Sequence, residues 1–147
     1  MAAEPRPNPV VIDAYLADVR TDPEAFDALF AIKNRMAVYH LQQAAEKLVK
    51  AVRLGRGLLP TKEHALAILI EGPDSARSEP RPLPENDPWR PLLAPLYWLT
   101  SYATAFRYPT EGDRRSPGPD HRTLTETRRT LEELLLRARD ELLTVPQ

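Results

Sequence analysis

The sequence predicts an all-α, up-and-down bundle of four to five helices. Three observations carry that expectation. Apolar residues recur at three- and four-residue steps through most of the chain, the spacing of one helical face. No segment sustains the two-residue alternation of a half-buried strand. Two clusters rich in proline and glycine, residues 72–91 and 108–120, separate the periodic stretches. With 147 residues the chain fits one domain, 1–147, and a bundle of this length can bury a real core.

Residues 1–9 hold three prolines and are expected to be loose. Val10 to Val19 read as a short helix with Ile12, Tyr15 and Leu16 inward. Asp22-Pro23-Glu24 has the form of a helix start, with a capping acid, a proline in the first turn and a carboxylate near the positive end of the dipole. From there one helix, residues 23–54, is expected to span the bundle and to stop at Gly55 or Gly57. Its core stripe is Val38, Leu41, Ala45, Leu48 and Val52, and its polar seam is Lys33, Met36, His40, Gln43, Lys47 and Lys50.

Thr61 is placed to cap the next helix, whose apolar residues Leu66, Ile68, Leu69 and Ile70 run to Gly72-Pro73. Six prolines among the twenty residues from Gly72 to Pro91 favour irregular backbone and a mobile surface loop. Asp87-Pro88 repeats the cap-then-proline pattern, and a regular helix is expected from about Leu92 to Phe106. After a second loop, Thr123 to Glu126 read as a capping box. The final helix carries Leu124, Leu131, Leu135, Ala138 and Leu142 on one stripe.

Composition excludes several functions. There is no cysteine, so disulfides and thiolate metal sites are ruled out. No apolar run approaches the roughly 20 residues of a membrane span, and a cytoplasmic protein is expected. His40, His64 and His121 lack ligand-like spacing, so no metal is expected, and no cofactor either. No phosphate-cradling glycine loop occurs among the five glycines. The net charge of −1 argues against indiscriminate polyanion binding, but the charge is unevenly placed. Residues 33–62 carry seven bases against Glu46 alone, whereas residues 1–32 carry two arginines against six acids. The basic stretch is either an anion-binding surface or a solvated face balanced by the acidic segment.

Tyr39-His40-Leu41-Gln42-Gln43-Ala44-Ala45-Glu46-Lys47, followed by Lys50-Ala51, closely resembles the signature helix of the HEPN domains (higher eukaryotes and prokaryotes nucleotide-binding). Thr61-Lys62-Glu63-His64-Ala65-Leu66 resembles the start of that family's next helix, and Ala105-Phe106-Arg107-Tyr108-Pro109 its Arg-Tyr-Pro form of helix ending. The resemblance runs in order over roughly Asp22 to Leu143. It implies an all-α bundle, a homodimer, and binding of nucleotide, RNA or a separate nucleotidyltransferase chain, in some members within a toxin–antitoxin system.

The candidate site is a shared anion-binding group of Lys47, Lys50, Arg53 and Arg107, with Tyr108 to stack on a base. The rival is a metal-independent ribonuclease toxin. Many family members carry an arginine followed after four to six residues by histidine, a pair suited to neutralising a phosphate and moving a proton. Here Arg114 and Arg115 precede His121 in that way, though within a loop sequence rather than on a helix. A third reading is a dimeric scaffold that binds only protein. Trp89, Leu92, Leu93, Leu96, Tyr97 and Trp98 put more apolar surface on one helix than an inward stripe needs, which offers a dimer surface.

Overall fold

A computed structural model describes residues 8–32, 36–74, 78–102 and 119–143. Among them are five α-helices, continued after the fourth by a 3-10 helix, and no strand. The first helix, α1, covers Pro9–Ala31. Its cap is Asn8, whose side chain accepts from the N–H groups of Val10 and Val11, with Pro9 at the first helical position. The helix does not restart at Asp22-Pro23. It runs through Pro23, because Ile12, Leu16, Val19, Pro23 and Phe26 form one unbroken buried stripe. An interior proline costs about 3 kcal/mol. Each large apolar side chain buried on that stripe returns roughly 1.5–3 kcal/mol, so the stripe wins.

The expected helix over 23–54 is instead two helices. α1 ends at Ala31, and α2 covers Ala37–Gly55; Lys33, Asn34 and Arg35 lie outside the described residues. The two pack antiparallel, since Asp22 of α1 meets both His40 and Lys47 of α2. A hairpin covers more of α2 than a single rod can, and α2 needs cover on several sides. Val38, Leu41, Ala44, Ala45, Leu48, Val49, Ala51 and Val52 are each 1% exposed or less. The alanines let neighbouring helices approach closely. The end of α2 is a Schellman turn: Leu58 N–H reaches Arg53 O, Gly57 N–H reaches Leu54 O, and Gly57 takes the left-handed φ of 77°.

The third helix, α3, covers Leu66–Glu71. Thr61 is not its cap. The Thr61 hydroxyl accepts from Glu63 N–H, the Glu63 carboxylate accepts from His64 and Ala65, and Leu66 N–H donates to Thr100 Oγ1. Beyond Gly72 the Pro-rich segment is irregular but pinned to the bundle. Leu83 is fully buried and its N–H donates to Ile70 O.

The fourth helix, α4, is a short one over Trp89–Leu93, and the chain then tightens into the 3-10 helix Ala94–Tyr102. Pro95 has no N–H for an α-type bond, and three residues per turn puts Leu93, Leu96 and Leu99 on one buried line. The expected α-helix over 92–106 is therefore corrected as far as residue 102, and residues 103–106 lie outside the described residues. Leu92, Tyr97 and Trp98 are partly buried and pack against the core.

The last helix, α5, covers His121–Leu143 and starts before the expected capping box. Asp120 accepts from Thr123 N–H at 2.7 Å, which holds its carboxyl below the ordinary value, and Glu126 pairs with Arg122 instead. α5 lies antiparallel to α1, with His121 against Phe30 and Arg128 on Asp27. It ends beside α2, where Leu142 meets Gly55. None of these helices is long and apolar enough to cross a membrane.

Candidate functional site

The polar seam of α2 follows from helical spacing. Residues 40, 43, 47 and 50 fall on one line, and residues 42, 46 and 53 fall on the line beside it. The first line faces α1, and the second faces α3 and the segments around it. Each line is organised by a carboxylate.

Asp22 organises the first. Its residue is 8% exposed, and its two oxygens are divided between partners. Oδ2 accepts from Lys47 Nζ at 2.8 Å, and Oδ1 lies 3.2 Å from His40 Nδ1. A carboxylate can only accept, so the contact places the imidazole proton on Nδ1 and turns Nε2 away. Asp18 lies 4.0 Å from the same ammonium group.

Glu46 organises the second, from a residue only 6% exposed. Gln42 Nε2 and Lys50 Nζ donate to it at 3.1 Å each, and His64 Nδ1 stands 3.1 Å from both oxygens. Gln43 Nε2 donates to Gln42 Oε1 at 2.6 Å and links the two lines. A buried carboxylate without such donors costs several kcal/mol, and here it has three. The seam thus holds two clusters of the same make-up, one carboxylate with one imidazole and one ammonium. Chemically it offers an anion two ammonium groups, Lys47 and Lys50, each already paired with a carboxylate. Among the described residues no hydroxyl or thiol is bonded to either imidazole as an activated nucleophile.

The expected site residues are distributed as follows. Lys47 and Lys50 share the half-buried seam, each already paired. Arg53 does not join them. It is 3% exposed, and its Nη1 donates to Leu69 O at 2.7 Å and to Arg81 O. Burial pulls its guanidinium below the ordinary value, and the Glu79 charge offsets part of that. Arg107, Tyr108, Arg114 and Arg115 lie outside the described residues. His121 is the exposed first residue of α5 and packs its ring 4.5 Å from that of Phe30.

Sequence reasoning passed over Asp22 and Glu46 as site residues and read the former as a cap. It also missed a second network at the far end of α2. Arg56 donates to Asp87 from Nε at 2.6 Å and to Glu141 from Nη2 at 2.9 Å, while Trp89 Nε1 donates to Glu141 at 3.0 Å. The Asp87 hydrogen bond, opposed by burial and helped by Glu141, raises the Arg56 guanidinium. Burial pushes the Asp87 carboxyl up, but the Arg56 hydrogen bond, the Trp89 N–H and the Arg56 and Arg90 charges outweigh it and hold the group below its usual value. Helical spacing gave no signal for this network, because the acids that Arg56 meets stand 31 and 85 residues along the chain.

The HEPN domain family model matches residues 24–143. No curated protein and no solved structure matches the chain.

Proposed function

Since this chain belongs to the HEPN domain family, we propose that it binds the phosphates of a nucleotide or an RNA along the seam of α2. The observation that carries the reading is the placing of Lys47 and Lys50. Their side chains are 27% and 14% exposed, and each is held by a carboxylate. Ammonium groups already ordered by Asp22 and Glu46 lose less freedom when they meet a ligand than free lysines do. The carboxylates also neutralise them, so a phosphate needs further positive charge. Arg107 supplies it in this proposal, and Tyr108 stacks on the base.

The physiological setting we propose is a complex with a separate nucleotidyltransferase chain, of the toxin–antitoxin kind, in which this chain is a homodimer. Leu136, 63% exposed between acidic and basic residues of α5, is the apolar centre proposed for the dimer contact. Light scattering over a dilution series is expected to show a dimer that Leu136→Glu dissociates.

The binding test is titration of a fluorescent adenine nucleotide and of a short single-stranded RNA at several salt concentrations. Lys47→Gln with Lys50→Gln is expected to weaken binding about tenfold and to flatten the salt slope by 1 to 2. Unchanged affinity in the double variant sinks the reading. Metal-free RNA cleavage that disappears in His121→Ala would replace it with the nuclease.

A further inference from the structure

At the cavity of about 410 Å³ beside the last turn of α2, Glu79, Asp87 and Glu141 already oppose the arginine charges within the fold. The group that the rest of the fold leaves unused is an imidazole. Two properties make an imidazole a nucleophile: a carboxylate that fixes the proton on one nitrogen, and open access to the other. The three histidines divide on them. His40 has the carboxylate of Asp22, but its side chain is only 28% exposed and Tyr39 stands edge-on to its ring. His121 is exposed, but its ring packs on Phe30 and no carboxylate is bonded to it among the described residues. His64 has both properties. Its Nδ1 stands 3.1 Å from each oxygen of Glu46, while its side chain is 67% exposed.

The carboxylate is firmly placed. Glu46 is buried, and Gln42 and Lys50 each donate to it, so it cannot swing away from the ring. The Glu63 carboxylate accepts from the N–H groups of His64 and Ala65 and fixes the backbone that carries the ring. A carboxylate can only accept, so the neutral imidazole of His64 keeps its proton on Nδ1 and its lone pair on Nε2, on the far side of the ring from Glu46.

We infer that His64 is a covalent modification site that takes a phosphoryl group on Nε2 from a small acyl phosphate. The Nε2 lone pair forms the N–P bond as the P–O bond of the acyl phosphate breaks, and the carboxylate leaves with that electron pair. No proton has to move. The ring becomes a cation, and Glu46 faces its Nδ1–H as the counter-charge, which stabilises the product and the path to it. Lys50 shares Oε2 of Glu46 with His64 and adds positive charge to the cluster that receives a dianionic group. An acyl group on the same exposed nitrogen is lost to water, whereas an N-phosphoryl group persists at neutral and alkaline pH. The inference concerns His64 itself and holds whether or not the seam binds a nucleotide.

The test is incubation of the full chain with acetyl phosphate at neutral pH, followed by intact mass and by peptide mapping without acid, because the N–P bond is acid-labile. A short unstructured peptide with one histidine gives the intrinsic rate. One phosphoryl group is expected, on His64, added about tenfold faster than to that peptide, with His40 and His121 unmodified over the same time. His64→Gln is expected to abolish the modification, and Glu46→Gln to slow it about tenfold. If Glu46→Gln fails to fold, the comparison of the three histidines in the unaltered chain decides alone. A rate at His64 no faster than that of the peptide, phosphoryl groups spread over all three histidines, or an unchanged rate in folded Glu46→Gln overturns the inference. So does acetylation of lysines with no phosphoryl group gained.

Discussion

The two ends of α2 handle positive charge differently. Toward the hairpin, Lys47 and Lys50 meet carboxylates of α1 and of α2 itself, and the partners are close in sequence or directly across the hairpin. Toward its C-terminus, Arg53 and Arg56 reach 16 to 85 residues along the chain to carbonyls and carboxylates of three other segments. The difference follows the side chains. An ammonium group is a compact charge that satisfies one carboxylate. A guanidinium fork can take several acceptors at once, which is what a segment without helical hydrogen bonds needs. One end is therefore a charge-balanced surface with accessible lysines, and the other is a structural clasp with a cavity beside it.

The comparison rests on the shared apolar core between the two ends, and that is where the largest effect is expected. Leu48, fully buried near the middle of α2, belongs to that core. Leu48→Asp should cost about 4–5 kcal/mol, from lost packing plus an unpaired buried charge. Urea unfolding followed by circular dichroism measures it, and a loss under about 2 kcal/mol would mean that α2 is not the centre of the core.

The clasp should be more costly to break than the surface pair. Asp87 has a side chain only 2% exposed, so Arg56→Met leaves a buried carboxylate without its guanidinium and should cost about 3 kcal/mol. Asp22→Asn frees Lys47 toward water and Asp18, and should cost only about 1 kcal/mol. Equal losses in the two variants would erase the distinction between the ends.

How much of this was legible in the sequence depends on whether a residue's partner is set by periodicity. The core stripe of α2 and its stop at Gly57 follow from spacing and from left-handed backbone, and both were readable. The hairpin was not. Phe26, Phe30, Ala37 and Leu41 stay in helical phase across the turn, so the break carries no slip in the pattern, and no glycine or proline marks it. The 3-10 helix was hidden for a related reason. At α-helical spacing Leu92 groups with Leu96 and Leu99 while Leu93 falls with Tyr97, and only a three-residue turn lines up Leu93, Leu96 and Leu99. At the seam, Lys47 and Lys50 were visible as basic positions, while Asp22 passed as a cap because Asp-Pro is a common helix start. Asp22 also precedes the region matched by the family model. Arg53 is the reverse case, a cation expected on the surface that the long-range clasp draws inward.

Acid should weaken the clasp through Asp87. The Asp87 carboxyl is held below its usual value in the folded chain, so its contribution is complete above the unfolded value near 4 and is lost as pH falls through the lower folded one. Asp87→Asn is expected to be the less stable protein at neutral pH, and the gap should narrow below about pH 4. A gap that stays constant from pH 7 to pH 3 would remove Asp87 from the clasp.

The smallest effect is expected at Gly55, where the clasp end of α2 meets α5. An added Cβ there would lie 2.5 Å from Leu142 Cδ2. Gly55 is the last residue of α2, so replacing it with alanine gains at most about 0.5–1 kcal/mol of propensity. The obstructing atom is the tip of a flexible, partly buried side chain, so Leu142 can turn aside at a cost of roughly 0.5–1.5 kcal/mol. The two nearly cancel, and Gly55→Ala alone should change stability by less than about 0.5 kcal/mol. Leu142→Ala removes the obstruction, so the same Gly55→Ala change in that background should show the propensity gain uncovered. A double-mutant cycle reads the coupling directly. Strict additivity would mean that Leu142 does not rest on Gly55, and that α5 approaches the clasp by some other contact.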